Sequence, residues 1–477
     1  MITHSVQRVF EDKRWRTALI ILGVLVVAFA LGHRPSPLYL ALPVALAGAL
    51  ILLRYPILGL PLMIVAALLV PIELSTGTDV SLNPVALLVP VLFGIWVLTR
   101  MHHQDLRLAP SLTTKPLIFF LLSALLSFFI GTLIWDPNVP KSDRFPIVQM
   151  AQWALFVFSA LAFWLVGNLI KSELNLKRLT AFFLIVAGTL SILRMVPPIW
   201  NMVEHFTTFA LLRAPFWMAL VALALGQLIF NTALSRRWQI FLALAVVGVF
   251  IYSFVGQAER TSNWVSVGVI VYTLAWLRFP RFRTLFIVAA ILGATVFFPI
   301  IYQFGGGDAK WDESGASRLV LSGRVMEVSL RNPITGLGPA AYRPYANTRP
   351  LQYGLAYWIN PQINSHNNYV DLFSQTGIVG LIFYFWFIVS LFRVGFRLRK
   401  TYRTGFAAGY VNAMVAALAG VCVVMLLLDW FLPFVYNVGF PGFQASVLLW
   451  MFLGGLVSLE NIARQRNSAK VDASHVA

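Results

Sequence analysis

From residue 17 onward the chain alternates long apolar runs with short polar or basic interruptions. The runs are too long for strands and lack the polar face that a helix needs at a water surface. Crossing a hydrocarbon layer takes about 20 mostly apolar residues, fewer where proline or glycine breaks the helix. Cutting the runs at charges and prolines predicts fourteen helices, near 17–32, 36–53, 55–71, 81–98, 116–135, 149–170, 179–196, 207–230, 238–257, 262–277, 283–303, 369–392, 406–428 and 441–458. The weakest are 36–53 with 55–71, joined through Arg54-Tyr55-Pro56, and 179–196, which ends at Arg194 and Pro197-Pro198. Losing one adjacent pair reverses nothing downstream, so the prediction is about 12–14 spans.

Composition removes the alternative of a soluble domain. Of 477 residues, 59% are hydrophobic and 11% charged, against roughly half and a quarter in ordinary soluble proteins. The net charge of +18 would suggest a nucleic-acid partner in a soluble protein, but its placement sets topology instead. With the N-terminus inside, the cytoplasmic segments hold 24 of the 36 Lys and Arg residues, as the excess of basic residues in cytoplasmic loops requires. The expectation is an even number of spans in a lipid bilayer, both termini cytoplasmic and no nucleic acid. Ala28-Phe29-Ala30 faintly resembles a signal-peptidase site, yet thirteen further spans direct the chain to the membrane either way. The single cysteine, Cys422, lies in an apolar run and leaves no intrachain disulfide or cysteine-based metal cluster to form.

The one long extramembrane segment, 304–368, faces the non-cytoplasmic side and carries six basic residues where the topology rule predicts depletion. Loops of this length usually have a function. Within it, Ser322–Leu330 reads as a short amphipathic helix with Arg324 at its start, followed by a turn-rich stop from Arg331 to Pro339. A helix dipole opposes an arginine at that position, whereas a bound polyanion would explain it; the plainer reading is a pair with Glu327. Next comes Ile363-Asn364-Ser365-His366-Asn367-Asn368-Tyr369, with Gly377 and Gly380 beyond it. Asn364 or Ser365 can cap the helix that follows, and the two glycines would let another helix approach closely. His366 then sits at the mouth of the bundle. Arg260, in a short external turn beside Glu259, and Arg213, in Leu211-Leu212-Arg213-Ala214-Pro215, are ionisable groups at membrane depth, which tend to line functional cavities.

Together the Ser365-His366-Asn367-Asn368-Tyr369 segment with Gly377-Ile378-Val379-Gly380, the Gly323-Arg324 helix with Asn332-Pro333 and Gly336-Leu337-Gly338, and an upstream external arginine resemble the O-antigen ligase and polymerase superfamily. The resemblance is dense from about 256 to 390. It implies a bacterial inner-membrane glycosyltransferase with an all-α fold like the class C transferases. Such an enzyme takes a glycan from an undecaprenyl-diphosphate carrier and places it on a glycan or lipid acceptor at the external face. It further implies that no metal or cofactor is needed, that Arg260 and Arg324 grip the diphosphate, and that His366 acts beside the acceptor. The family's upstream arginine usually follows a serine, and here Arg260 follows Glu259. Arg213, Asn367, Arg318 and Asp371 complete the set as substrate-binding candidates.

The chemistry is compatible with these roles. Guanidinium groups can clamp diphosphate oxygens and stabilise the charge that develops as the glycosidic bond breaks. A histidine can take the proton of an attacking hydroxyl, and a single displacement would invert the anomeric configuration. Two alternatives stay open at this point. Asp308, Asp312 and Glu313 could serve a divalent cation, and fourteen helices with buried charges would also suit a lipid-linked glycan flippase. The chain divides into N-terminal helices 1–255, a core 256–392 containing the loop 304–368, C-terminal helices 393–464, and a polar tail 465–477 expected to be disordered. Ligase or polymerase, the sugars and the acceptor are not decided by sequence.

Overall fold

The computed structural model describes residues 47–75, 81–256, 261–296, 298–304, 307–310, 316–348 and 365–476. The chain divides into two compact units, residues 1–58 and 59–477. In the first, the described part is a helix over Ala47–Arg54 and a 3-10 turn over Pro56–Leu58. The predicted span 17–32 and most of 36–53 lie outside the described residues.

Among its described residues the second unit consists of helices joined by turns and irregular segments, with one ribbon in which Leu74–Ser75 pairs antiparallel with Ser81–Leu82. Its main helices are α1 (Gly59–Leu69), α2 (Pro84–His102), α3 (Thr114–Leu133), α4 (Phe145–Leu169), α5 (Glu173–Leu193) and α6 (Ala214–Phe230). They are followed by α7 (Arg236–Phe250), α8 (Thr261–Arg278), α9 (Ala316–Ser329), α10 (Asn368–Thr401), α11 (Gly405–Leu427) and α12 (Gly439–Val476). Among the described residues seven helices, α2 to α5 and α10 to α12, are long and apolar enough to cross a membrane; α6 is apolar but shorter. The chain is an all-α polytopic membrane protein.

Each predicted span from 81 onward coincides with helix, and the differences have local causes. The span 207–230 starts as helix only at Ala214, because Pro215 fits the first turn of α6 while Phe209–Leu212 forms a 3-10 turn before it. The span 283–303 is two pieces, Arg283–Thr295 and Phe298–Phe304. The span 179–196 is continuous as α5 and ends where Pro197 opens a new short helix, Pro197–Val203. The tail 465–477, expected to be disordered, instead continues α12 to Val476. Arg464 ties to Glu460 and to the carbonyl of Pro110, and Arg466 to Glu173 at 3.0 Å, so the helix leaves the bundle anchored.

Contacts sort the connections to two ends. At one end Asn83 donates to the carbonyl of Phe440, Arg331 pairs with Asp136 and Arg318 donates to the carbonyl of Leu427. At the other, Gln227 donates to Phe406, Arg399 to Leu277 and Arg464 to Pro110, each at a backbone carbonyl. In lipid no hydrophobic force drives helices together, so close packing must supply the contact energy. The membrane-length part of α12 is wholly buried, and Gly454 explains how: a Cβ there would overlap the Phe163 carbonyl of α4. The Tyr410 hydroxyl of α11 meanwhile donates to Phe452 on another side of the same helix, at 2.6 Å.

Candidate functional site

The site end is built on a break in α10. Gly377 takes φ 64°, ψ −168° inside that 34-residue helix, a conformation open to glycine and costly for other residues. The break frees backbone groups that an intact helix would pair internally, and in an apolar setting each must be satisfied. Ile378 and Val379 N–H donate to the carbonyls of Pro333 and Ile334, at 2.9 and 3.2 Å. The carbonyl of Ser374 accepts from Leu337 N–H at 2.8 Å, and that of Gln375 from the Ser127 hydroxyl of α3. Asn332 shapes the docking turn by donating to the Gly336 carbonyl at 2.6 Å. Of the two glycines expected to admit a second helix, Gly377 instead admits the Asn332–Gly338 turn, while Gly380 faces Ser123 of α3.

A second irregular segment, 428–438 between α11 and α12, is stitched in place by side-chain amides. Asn368 both donates to the carbonyl and accepts from the N–H of Leu432, at 2.8 and 3.2 Å. Gln152 does the same for Pro433 and Val435, at 3.2 and 2.6 Å. The indole of Trp450 donates to Phe431, on which its ring also stacks. Non-helical backbone at membrane depth is tolerated where protein satisfies it in this way.

His366 lies between these two segments. Its φ is +55°, a left-handed conformation that costs a non-glycine residue about 1–2 kcal/mol. Its neighbours hold it there: Asp371 Oδ1 accepts from Ser365 N–H at 3.2 Å, and the Ser365 hydroxyl spans Asn367, accepting from its N–H and donating to its carbonyl. The ring, 29% exposed, has Nδ1 3.1 Å from Asn437 Nδ2 and 3.8 Å from Asp429 Oδ1. Asn437 Nδ2 also donates to Asp429 Oδ2. Turning that amide over would set its oxygen against the carboxylate, so Asp429 orients Asn437 and Asn437 orients the imidazole.

Two of the arginines marked in the sequence converge on the same segment. Arg318 of α9 donates to the Leu427 carbonyl at 3.0 Å; burial lowers its guanidinium pKa while the Asp429 carboxylate opposes that shift. Arg213 is stacked between the rings of Phe209 at 3.6 Å and Trp430 at 4.4 Å, one residue from Asp429. Arg324 differs from expectation. Helix α9 begins at Ala316, so Arg324 sits in its interior and the argument from the helix dipole does not apply. It is 3% exposed, with Glu327 at 3.8 Å and the Ala346 carbonyl at 3.5 Å, under the short helix Tyr342–Asn347.

Tyr342 links Arg324 to the rest. Burial pushes its phenol above the ordinary tyrosine range, and Arg324 opposes that shift. It lines a small cavity with Asp371, Ser374, Gln375, Gln152 and Tyr436. Asp371 is 2% exposed, and its Oδ2, like the Ser374 hydroxyl, has no hydrogen-bond partner among the described residues. The cavity's volume of about 10 Å³ is the room one water molecule needs.

Arg260, Asp312 and Glu313 lie outside the described residues. Asp308 accepts from the Tyr302 hydroxyl. Asn367, a substrate-binding candidate in the sequence, has its Oδ1 engaged as the N-cap of α10, accepting from Tyr369 and Val370 N–H; the cap expected at Asn364 or Ser365 falls here. Asp429 and Asn437 are the residues the sequence reading missed. A signal for Asp429 was present: a lone carboxylate inside the apolar stretch Val423–Phe440 is an ionisable group at membrane depth.

Compared with known protein families, residues 253–385 match the family described as O-antigen ligase. Among curated protein sequences none matches the chain.

Proposed function

We propose that the chain, whose residues 253–385 match the O-antigen ligase family, is a membrane glycosyltransferase of the O-antigen ligase and polymerase superfamily and moves a glycan from an undecaprenyl-diphosphate carrier to an acceptor hydroxyl. On this reading it lies in the bacterial cytoplasmic membrane with both termini inside and the His366 end outside. The observation that carries the proposal is the convergence of His366, Asp429, Arg213 and Arg318 on one irregular connection at one end of an apolar bundle.

The acceptor oxygen attacks the anomeric carbon, the bond from that carbon to the diphosphate oxygen breaks, and the electron pair leaves with the lipid diphosphate. His366 takes the acceptor's proton. In the described geometry Asn437 Nδ2 donates to Nδ1, which leaves the ring proton on Nε2; for Nε2 to act as the base that proton must move to Nδ1 and the ring must turn from Asn437 towards Asp429 Oδ1, 3.8 Å away. Asn437 holds the ring in the resting geometry. Guanidinium groups neutralise the departing diphosphate, so turnover is expected to persist in EDTA. Arg213 and Arg318 supply this charge in the described conformation. Arg324 meets substrate only if the Tyr342–Asn347 helix above it moves, so its assignment to the diphosphate rests on the family resemblance.

The test is transfer by purified full-length protein in EDTA, from an undecaprenyl-diphosphate oligosaccharide alone and then with candidate acceptors, for wild type and His366→Ala. Products growing from donor alone mean a polymerase; product only with added acceptor means a ligase. In either case His366→Ala should lose about 100-fold or more. Carrier translocation in vesicles without any transfer product would replace this reading with a flippase.

A further inference from the structure

The end of the bundle that holds His366 contains an arginine that neither the sequence reading nor the site above employs. Arg343 is the second residue of the Tyr342–Asn347 helix. Its guanidinium carbon lies 4.4 Å from the centre of the Tyr436 ring, and its Nε is buried with no hydrogen-bond partner among the described residues. The other basic groups on these elements are matched differently: Arg331 pairs with Asp136, and Arg318 faces Asp429 and the Leu427 carbonyl. A guanidinium stacked on an aromatic face keeps its in-plane donors for a planar, two-oxygen acceptor. The stack also fixes its direction. Tyr436 precedes Asn437, which holds His366, and Tyr342 and Tyr436 line one cavity with Asp371.

We propose that Arg343, laid on Tyr436, is an oxyanion-binding residue of the His366 site, taking phosphate oxygens of the lipid diphosphate or the carboxylate of an acidic sugar in the glycan. The inference rests on the transferase reading for its substrate class. Stacking restricts the side chain before binding, so less conformational freedom is lost when the anion arrives.

The experiment uses full-length protein in nanodiscs. Undecaprenyl diphosphate and undecaprenol are the binding probes, and donors with a neutral or a uronic-acid-containing oligosaccharide are the substrates. If the ligand is the diphosphate, Arg343→Gln weakens undecaprenyl diphosphate by about tenfold or more, leaves undecaprenol unchanged, and raises KM for both donors more than it lowers kcat. If the ligand is a carboxylate, both lipid probes bind as in wild type and KM rises only for the acidic donor. Binding of both probes and KM for both donors within about twofold of wild type overturns the proposal. Should Arg343→Gln not fold, Arg343→Lys carries the test: at least about threefold weaker anion-dependent binding supports the proposal, and wild-type binding overturns it. The binding arm needs no turnover. Wild type that binds undecaprenyl diphosphate without transferring glycan therefore removes the transferase reading and still tests Arg343.

Discussion

At the scale of single residues the site depends on His366 being held in a conformation it would not choose. Its left-handed φ, the Ser365–Asp371 hydrogen bond and the Asn437 amide all act on one ring. Asp429→Asn removes the carboxylate that both orients Asn437 and lies nearest Nδ1, and it should lower kcat by about 10–100-fold while leaving donor KM nearly unchanged. Asn437→Ala should show the same split with a smaller loss, because Asp429 then remains within reach of the ring. Single-turnover kinetics on both variants would check this, and a rise in donor KM with unchanged kcat would mean that Asp429 serves binding instead. Much of this site was legible in the sequence. Arg213 stands out as a cation at membrane depth, His366 through the segment that resembles the family, and Arg318 as one of the candidates in the basic external loop. Asp429 and Asn437 were not, because nothing in the order of residues shows that the 428–438 connection folds back beside residue 366; that depends on Asn368 and Gln152 binding its backbone.

At the scale of elements, the junction between the Asn332–Gly338 turn and α10 is where one substitution should have the largest structural effect. A Cβ at Gly377 would overlap the carbonyl of Ile334, on a backbone already in glycine's territory. Gly377→Ala should cost about 3 kcal/mol or more. Gly323→Ala, in open space on α9, should stabilise by about 0.5–1 kcal/mol through helix propensity. Thermal unfolding of both in the same detergent would separate these signs. At Gly380 the neighbour is the helix the sequence leads one to expect, Ser123 of α3, but at Gly377 it is a turn, because an approaching helix and an approaching turn need the same absence of a side chain. A second element-level prediction concerns the loop between α3 and α4. Asp136 accepts from Asn138 N–H and pairs with Arg331 at 2.8 Å, and together these hold its carboxyl below the usual carboxylate range. A depressed folded-state pKa stabilises the folded form above the unfolded value, near 4, and that contribution disappears as pH falls through the folded value. Asp136→Asn should therefore make the loop more susceptible to proteolysis at pH 7, and the difference should shrink as pH falls below about 4. Equal susceptibility of the two proteins at pH 7 would refute it.

At the scale of the whole molecule, the fold was the most legible property, because in lipid every backbone group must be satisfied within a helix and length alone then limits each span. Around the candidate site the departures occur where irregular backbone is covered by protein: the 3-10 turn before Arg213, the break at Gly377 and the 428–438 connection. All three lie at the same end, and the basic residues Arg236, Arg237, Arg278, Arg281, Lys400 and Arg403 lie at or beside helix termini at the other. A membrane that retains Lys and Arg loops on its cytoplasmic side fixes which end is outside. On the proposed function the irregular end is expected to face away from the cytoplasm, where a lipid-linked glycan already carried across the membrane would be met. The lone Cys422 makes this measurable. In a Cys422→Ser background, Lys141→Cys should react with a membrane-impermeant maleimide added to intact cells, while Arg236→Cys and Arg403→Cys should react only after permeabilisation. Lys141 rests on the Trp135 ring and holds no carboxylate among the described residues, so its replacement should leave the fold intact. Labelling of the two arginine positions in intact cells, with Lys141→Cys protected, would invert the molecule in the membrane and place His366 in the cytoplasm, where an externally displayed glycan could not reach it.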